Sequence, residues 1–484
     1  MGAGGQGGQI PGGRVLLGGR CLSAGRVLPG NGPSGIVLAA GFGVADSLPP
    51  PIKSRHLEGE KVRVGDGVTT EELKPLSAAR REVLSAVGLL DVVEVSLDEA
   101  QGLALASDVI APHAVPSFAN SAMDGYAVRV ADVADPPVEL RISEDVPAGH
   151  VASGSVRPGS VIKIMTGAPI PEGAEAVVKV EDTEPVPGGR VRINASVAMG
   201  AAVRPAGGDL AEGQLVMPAG VRLGPLHLGV LATIGVSAPR VRRRARVAVL
   251  STGDELFPAD SPRLPPGGIR DSNRPLLKGL LSAVGVEIVD MGIIPDQEDQ
   301  LRAALKQAAD EADVTVTSGG VSMGEYDLVK QVLSSLGDIE LWKVAMQPAK
   351  PFAFGHIHGT PLFGLPGNPV SALVAFEQFV RPSLLKMMGA QALFRPRVPA
   401  VAGHPLRTNP DKTVFVRVVV GVEGGRMVAR SSGGQGSNVL SAAAAANGMA
   451  VVPRGVALVE KGDPVAVEML RSPESRTEDE TPDE

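Results

Sequence analysis

From Arg246 onward the chain alternates β-branched runs with helical stretches, and this alternation constrains the fold more than any other feature. The runs are RVAVLS (246–251), VEIVDMG (286–292), VTVTSGG (314–320) and PLFGLPG (361–367), with NRPLLKGLLSAVG (273–285) and DQLRAALKQAADEA (299–312) among the helical stretches between them. Strand and helix at this spacing imply βαβ units with right-handed crossovers, and hence a parallel sheet. The strands of such a sheet point one way, so the loops at their carboxyl ends share the edge at which open α/β sheets hold ligands.

Those loops are polar. Ser251, Thr252, Gly253, Asp254 and Glu255 follow the first strand and Asp296 follows the second. Ser318, Gly319, Gly320, Ser322 and Asp327 follow the third, and Pro366, Gly367 and Asn368 the fourth. The glycines permit close backbone approach, and the helices starting near Tyr326 and Pro369 offer unpaired amides to phosphate. A carboxylate at a helix mouth, as Asp327 is, opposes a bound anion unless a metal ion lies between them. Asp254, Glu255, Asp296 and Asp327 are oxygen ligands suited to Mg²⁺, so the set fits a phosphorylated ligand bridged by metal. One strand followed by glycines is ordinary turn chemistry, and the argument rests on four such loops in register. Lys343, Lys350, Lys412 and Arg417, with the hydroxyls of Ser371 and Ser437, suit a small tetrahedral oxyanion. His356 and His358 alternate in a hairpin pattern with no third metal ligand nearby and read as an exposed turn. Arg242, Arg243 and Arg244 read as a solvated strand entry.

The remainder of the chain sets the frame. Residues 76–90 carry a helical pattern and 91–106 a strand and a second short helix, while 111–204 breaks into short alternating runs divided by Pro-Gly and Gly-Gly turns, an all-β insert. LGPLHLGVLATIG (223–235) is helix-like and is expected to return beside the first helix, making the first domain discontinuous. After Arg395 short Val-rich and Gly-rich strands run to about Glu468, a small barrel or sandwich. At 484 residues several domains are expected. The single cysteine, Cys21, excludes a disulfide framework and points to a reducing, cytoplasmic setting. No apolar run reaches the roughly 18 residues that span a bilayer, so no membrane partner is expected. A net charge of −7 argues against nucleic acid. Residues 1–70 read as a glycine-rich extension and 471–484 as an acidic tail, both expected to be disordered.

The motifs PSFANSAMDGYAV (116–128), KIMTGAPIPEGAEAVVKVED (163–182), STGDEL, GGIRDSNRPLL, TSGGVSMGEYD, PAKPFAFG and GLPGNPVSALVAF resemble, in order, those of the molybdopterin molybdenumtransferases. This is the bacterial MoeA family, similar also to the C-terminal domain of gephyrin and its plant counterpart, and the likeness runs from about Leu76 to Glu468. It implies a multidomain α/β plus β fold: a discontinuous first domain (71–110 and 205–240), an inserted β domain (111–204), a central parallel α/β molybdopterin-binding domain (241–393) and a C-terminal β-barrel (394–470). It further implies elongated homodimers in which the insert of one subunit faces the crevice of the other. The implied reaction takes adenylylated molybdopterin and molybdate, cleaves the adenylate with Mg²⁺, and gives molybdenum cofactor and AMP. Molybdoenzymes or other proteins of the cofactor pathway would be partners.

Carried over by residue, Asp296 and Asp327 match the positions associated with Mg²⁺ and adenylate cleavage, with Ser322 beside them. Glu255 and the Ser-Gly-Gly turn match the pterin-nucleotide crevice. Asp124 and Asp209, which as neighbours of glycine are also turn formers, match acidic residues near the dimer interface. Lys350, Ser371, Lys412 and Ser437 match the molybdate pocket. Many relatives read Lys-Pro-Gly-Lys-Pro where this chain has Gln347-Pro348-Ala349-Lys350-Pro351, so a neutral amide replaces one cation; Lys412 likewise stands where arginine is frequent. Two other roles share these features: a molybdopterin adenylyltransferase, which has the α/β domain in common, and a non-catalytic dimeric scaffold.

Overall fold

The structure, a computed structural model, describes residues 73–319 and 328–471, without the side chains of residues 328–330. The central domain is built on β1 (Arg246–Thr252), α1 (Asn273–Val284), β2 (Glu287–Ile294), α2 (Glu298–Glu311), β3 (Val314–Ser318), α3 (Leu328–Leu336), β4 (Gly337–Lys343), β5 (Pro351–Ile357) and β6 (Thr360–Leu365). Its six-stranded sheet runs in the order β2-β1-β3-β6-β5-β4. The first four strands are parallel, and β5 and β4 return antiparallel at one edge. The parallel core matches the alternation in the sequence, and the antiparallel edge is an addition to it.

Strand β1 is buried from Val247 to Thr252, the continuous pattern expected of a strand covered on both faces. Helix α1 turns Leu277, Leu281 and Val284 inward at helical spacing and ends at Gly285, whose φ of +89° lets its amide reach back to the carbonyls of Leu281 and Ser282. Helix α2 opens with Glu298 and Asp299, favourable to the helix dipole, and buries Leu301, Ala304, Leu305 and Ala308. Because β1 leads through α1 to one side and β2 leads through α2 back across it, the strand order reverses between β1 and β3. That reversal opens a crevice at their carboxyl ends.

The segments around this domain pack in two groups. Helix Leu76–Ser85 buries Leu76, Ala79 and Val83 in the central core and lies on the long helical stretch that runs through Pro369–Ala375, a π turn at Phe376–Val380, and Arg381–Met387. Helix Pro225–Thr233 packs instead beside the short helix Leu97–Ala100, over a separate core containing Leu103, Leu105, Val216 and Val241. The insert is a six-stranded sheet between Gly125 and Ile193, with one small apolar cluster on Tyr126, Val161 and Val178 and another on Ala127, Ile162 and Val177. Those residues alternate along their strands, so the sheet is buried on both faces.

At the C-terminus the strands Thr413–Glu423, Arg426–Ser431, Arg397–Ala402, Pro464–Met469 and Gly448–Val452 pair in that order, and the last pairs with the first. The domain is therefore a closed five-stranded barrel and not a sandwich. Met346–Gln347, from the loop between β4 and β5, extends it by pairing in parallel with Thr413 and Val414.

Candidate active site

The crevice at the reversal point is held together by hydrogen bonds that converge on the start of α1. Asp271 is 4% exposed; its Oδ1 accepts the hydroxyl of Ser251 at 3.2 Å and the amides of Asn273 and Arg274, each at 3.1 Å. One carboxylate thus caps the helix and fixes the end of β1. Asn273 donates from Nδ2 to Ser318 Oγ at 2.6 Å and to the Gly367 carbonyl at 2.7 Å, joining the ends of β3 and β6. Gly319 follows with φ +96°, and a β-carbon there would sit 2.6 Å from the Thr252 carbonyl oxygen. Only glycine lets the two strand ends approach so closely. Thr252 Oγ1 and Asn273 Oδ1 are buried without a hydrogen-bond partner among the described residues. Native interiors rarely leave such atoms unpaired, which marks the crevice as a place where something else supplies the bond.

Asp271 and Asn273 are site residues that the strand-end motifs do not single out. The signal was an Asp-x-Asn at a helix start inside a motif already singled out, but burial of those side chains cannot be seen in one dimension. Ser251 and Thr252 are the last two residues of β1 and Ser318 the last of β3, Gly253, Gly319, Pro366 and Gly367 follow the strand ends, and Asn368 is the residue before the helix that starts at Pro369. Gly320, Ser322, Tyr326 and Asp327 lie outside the described residues.

Acidic residues gather beside the crevice. The Asp296 amide donates to Asp254 Oδ1 at 3.0 Å, and Glu255 folds back so closely over Gly253 that a β-carbon on that glycine would meet its carboxylate at 2.5 Å. Partial burial, and then the charges of Asp254 and Glu255, hold the Asp296 carboxyl above the usual carboxylate range. No ion pair relieves these three among the described residues. Carboxylates brought together in this way suit a cation, yet no group of three His, Cys, Asp or Glu among the described residues is arranged to hold a metal ion unaided. Another carboxylate or ligand oxygens must complete any such site.

The basic group is assembled by the barrel. Pairing of Met346–Gln347 with Thr413–Val414 laces the segment that carries Lys350 to the strand immediately after Lys412. The Val370 amide donates to the Ser437 carbonyl at 3.1 Å, bringing the helix that carries Ser371 to the loop that carries Ser437. Under that loop lies Arg417, 1% exposed, which donates to the carbonyls of Gly434 at 2.8 Å and Gly436 at 3.1 Å. Its Nε and second terminal nitrogen have no partner among the described residues, and burial lowers its pKa. A buried arginine with unused donors is suited to receive an anion, which fits the grouping of Arg417 in the sequence with Lys343, Lys350, Lys412, Ser371 and Ser437. Gln347 stands beside a cleft of about 150 Å³, lined also by His404, Arg407, Ser431 and Gln435.

Asp124 sits in the insert and is exposed. Its Oδ1 accepts the Thr166 amide at 2.7 Å and the Thr166 hydroxyl at 2.8 Å, bonds that hold its pKa down and brace the loop after Ile164. Asp209 is exposed in the turn that pairs with Val115. No described hydrogen bond or ion pair joins either to the crevice. His356 approaches the Ala86 carbonyl at 3.3 Å, and His358 turns the β5–β6 hairpin with φ +50°.

A parallel α/β domain wound about a reversal point, with all-β modules before and after it, defines a multidomain protein with a polar crevice where open α/β sheets hold ligands. Comparison with known proteins narrows this. Residues 74–235 match the MoeA N-terminal region (domain I and II), 248–386 a probable molybdopterin binding domain, and 399–470 the MoeA C-terminal region (domain IV). A molybdopterin molybdenumtransferase of Haemophilus influenzae is 37% identical over 396 residues, 81% of this chain and 98% of that protein. Molybdopterin molybdenumtransferase 2 of Mycobacterium tuberculosis is 41% identical over 387 residues, 78% of this chain and 94% of the relative. Among solved structures, a molybdopterin biosynthesis MoeA protein from Pyrococcus horikoshii superposes with a TM-score of 0.69 at 32% identity, covering 83% of this chain and all of that one. The chain belongs to the MoeA family of molybdopterin molybdenumtransferases.

Proposed function

We propose that this chain is a molybdopterin molybdenumtransferase: it takes adenylylated molybdopterin and molybdate, cleaves the phosphoanhydride to release AMP, and delivers molybdenum to the dithiolene. The observation that carries the reading is likeness to transferases of that name through the insert, the α/β domain and the barrel together. A molybdopterin adenylyltransferase would need only the α/β domain. A non-catalytic scaffold would have no need of the acidic set and the buried, partly unpaired Arg417.

In this reading the ends of β1, β3 and β6 cradle the pterin and its phosphate, Gly319 and Gly367 letting backbone approach the ligand. The mutual repulsion of Asp254, Glu255 and Asp296 fits Mg²⁺, which Asp296 would hold with Asp327. Bound there, Mg²⁺ would neutralise the phosphate oxygens and make phosphorus more electrophilic. Ser251, Thr252 and Ser318 orient the ligand so that water or an oxyanion meets phosphorus with the AMP oxygen as leaving group. Lys350, Ser371, Lys412 and Ser437, with Arg417 beneath, hold molybdate near the freed dithiolene. Asp124 and Asp209 would serve the crevice of a second subunit in a homodimer. A cytoplasmic site of action belongs to this reading, supported by the single cysteine, Cys21.

The test is reconstitution with purified adenylylated molybdopterin. AMP release and cofactor formation that require both molybdate and Mg²⁺ are expected, together with rescue of a strain lacking this step. ATP-dependent adenylylation of molybdopterin would favour the adenylyltransferase, and absence of any turnover or rescue would favour the scaffold.

A further inference from the structure

We infer that Asn273 is a positioning residue of the crevice, one that sets the Ser318 hydroxyl as a donor toward the ligand and keeps the ends of β3 and β6 at the separation the ligand requires. The inference rests on the proposed reading of the crevice as the adenylylated-molybdopterin site and assigns a task to a residue outside the acidic and basic groups.

The argument starts from donor and acceptor capacities. An amide side chain has two N–H donors and one acceptor oxygen. Here both donors are used, by Ser318 Oγ at 2.6 Å and the Gly367 carbonyl at 2.7 Å. The Gly367 carbonyl can only accept, so the amide nitrogen must face it, and the orientation of the side chain follows. Ser318 Oγ therefore spends an acceptor position on Asn273, which leaves its own O–H to donate elsewhere. Ser318 is 2% exposed at the last position of β3, immediately before Gly319. The remaining atom, Asn273 Oδ1, is an acceptor with no partner among the described residues on a side chain 7% exposed.

The placement suits the task. Asn273 begins α1, whose first amides are already taken by Asp271, so its side chain is not needed as a cap. Its backbone is fixed by the same carboxylate that holds Ser251 at the end of β1. The Gly319 amide donates to the Leu365 carbonyl at 3.2 Å, so the amide of Asn273 closes a second link between two strand ends already joined by backbone. Through Asp271 and Asn273, one helix start controls the loops after β1, β3 and β6. A rigid link of this kind fixes where a ligand meets Ser318 and Gly319, and its effect is expected on ligand affinity and not on the distant basic group.

The experiment is a double-mutant cycle on the full chain, measuring the Kd for adenylylated molybdopterin, the half-saturating molybdate concentration, and Tm. Asn273→Ala and Ser318→Ala are each expected to weaken the pterin ligand by roughly tenfold or more, the order expected for loss of hydrogen bonds in a buried site. The double variant is expected to be little worse than either single one, because Asn273 acts through Ser318. Half-saturating molybdate should stay within about twofold of the parent, a separation that general loosening of the fold would not produce. Asn273→Asp, of the same shape but with an acceptor facing the Gly367 carbonyl, should resemble Asn273→Ala in affinity. An Asn273→Ala protein that binds as the parent does, additive effects in the cycle, or a parallel loss of molybdate affinity would each overturn the assignment. A parent chain that does not bind adenylylated molybdopterin at all would instead overturn the proposed function.

Discussion

Asp254 and Asp296 are fastened to each other by the bond that also sets them in conflict. The carboxylate of Asp254 accepts the Asp296 amide at 3.0 Å, tying the loop after β1 to the loop after β2, and its charge helps to hold the Asp296 carboxyl above its ordinary range. The arrangement accepts a penalty in the free protein that a bound cation would relieve.

Asp254→Asn keeps an acceptor for the amide and removes the charge. At neutral pH the variant should be more stable than the metal-free parent by a few tenths of a kcal/mol, since solvent screens a site this open. A carboxyl whose folded pKa is raised favours the native state below its ordinary range, and that contribution is lost as pH rises through the raised value. The advantage of the variant should therefore shrink on acidification toward pH about 4. Urea titrations across pH, with and without Mg²⁺, measure both parts; a variant less stable than the parent at pH 7 would contradict the account.

Gly319→Ala should be among the most damaging changes of a single methyl in the central domain. The residue has φ +96°, and the new carbon would stand 2.6 Å from the Thr252 carbonyl oxygen. Backbone strain together with a clash against backbone should cost about 2–4 kcal/mol and push the strand ends apart. Tm and ligand affinity should fall together, and a variant that retains the parent's affinity would show that close approach of β1 and β3 is not required.

Arg243 and Asp313 form a two-pronged pair, with both contacts at 2.7 Å. Partial burial raises the Asp313 pKa, but bonds from Arg243 and from the Arg246 amide outweigh it and leave the carboxyl below its usual range. Stability from this pair is present above the ordinary carboxylate range and is lost as pH falls through the depressed value. Asp313→Ala should cost about 1–2 kcal/mol at pH 7, less than a fully buried pair because the site is partly solvated. The deficit should narrow toward pH 3, as denaturant midpoints for the two proteins would reveal. A deficit constant with pH would mean that packing, not charge, is what the substitution removes.

Lys350→Ala should raise the half-saturating molybdate concentration by roughly tenfold, and Gln347→Lys should lower it several-fold, with both effects weakening as salt increases. Neither should change the affinity for adenylylated molybdopterin by more than about twofold if the two ligands occupy separate halves of the site. Equal effects on both ligands would merge the basic group with the pterin crevice.

Much of the architecture was legible because it repeats with a short period. Buried β-branched runs separated by amphipathic helices identify a parallel sheet, and the sheet fixes the edge where polar loops must gather. The antiparallel β4–β5 edge was harder to see, since Asp338, Glu340 and Lys343 give β4 the look of a loop until Trp342 is found packed beneath Lys74. The site was legible as a set of loops but not as a network. Nothing local in the sequence distinguishes Asp271 and Asn273, whose importance comes from Ser251, Ser318 and Gly367, which lie 20, 45 and 94 residues away.

By itself the sequence determined the alternating core, the positions of the glycines and acidic residues at strand ends, and the likeness to one family, because local periodicity and motif order are properties of one dimension. Tertiary structure alone decided that Pro225–Thr233 packs away from the first helix. It also decided that Arg417 lies buried with donors unused, and that one asparagine joins two strand ends. Those outcomes depend on which distant groups share a small, poorly solvated space, where an unpaired donor or a single methyl group carries a large free-energy consequence.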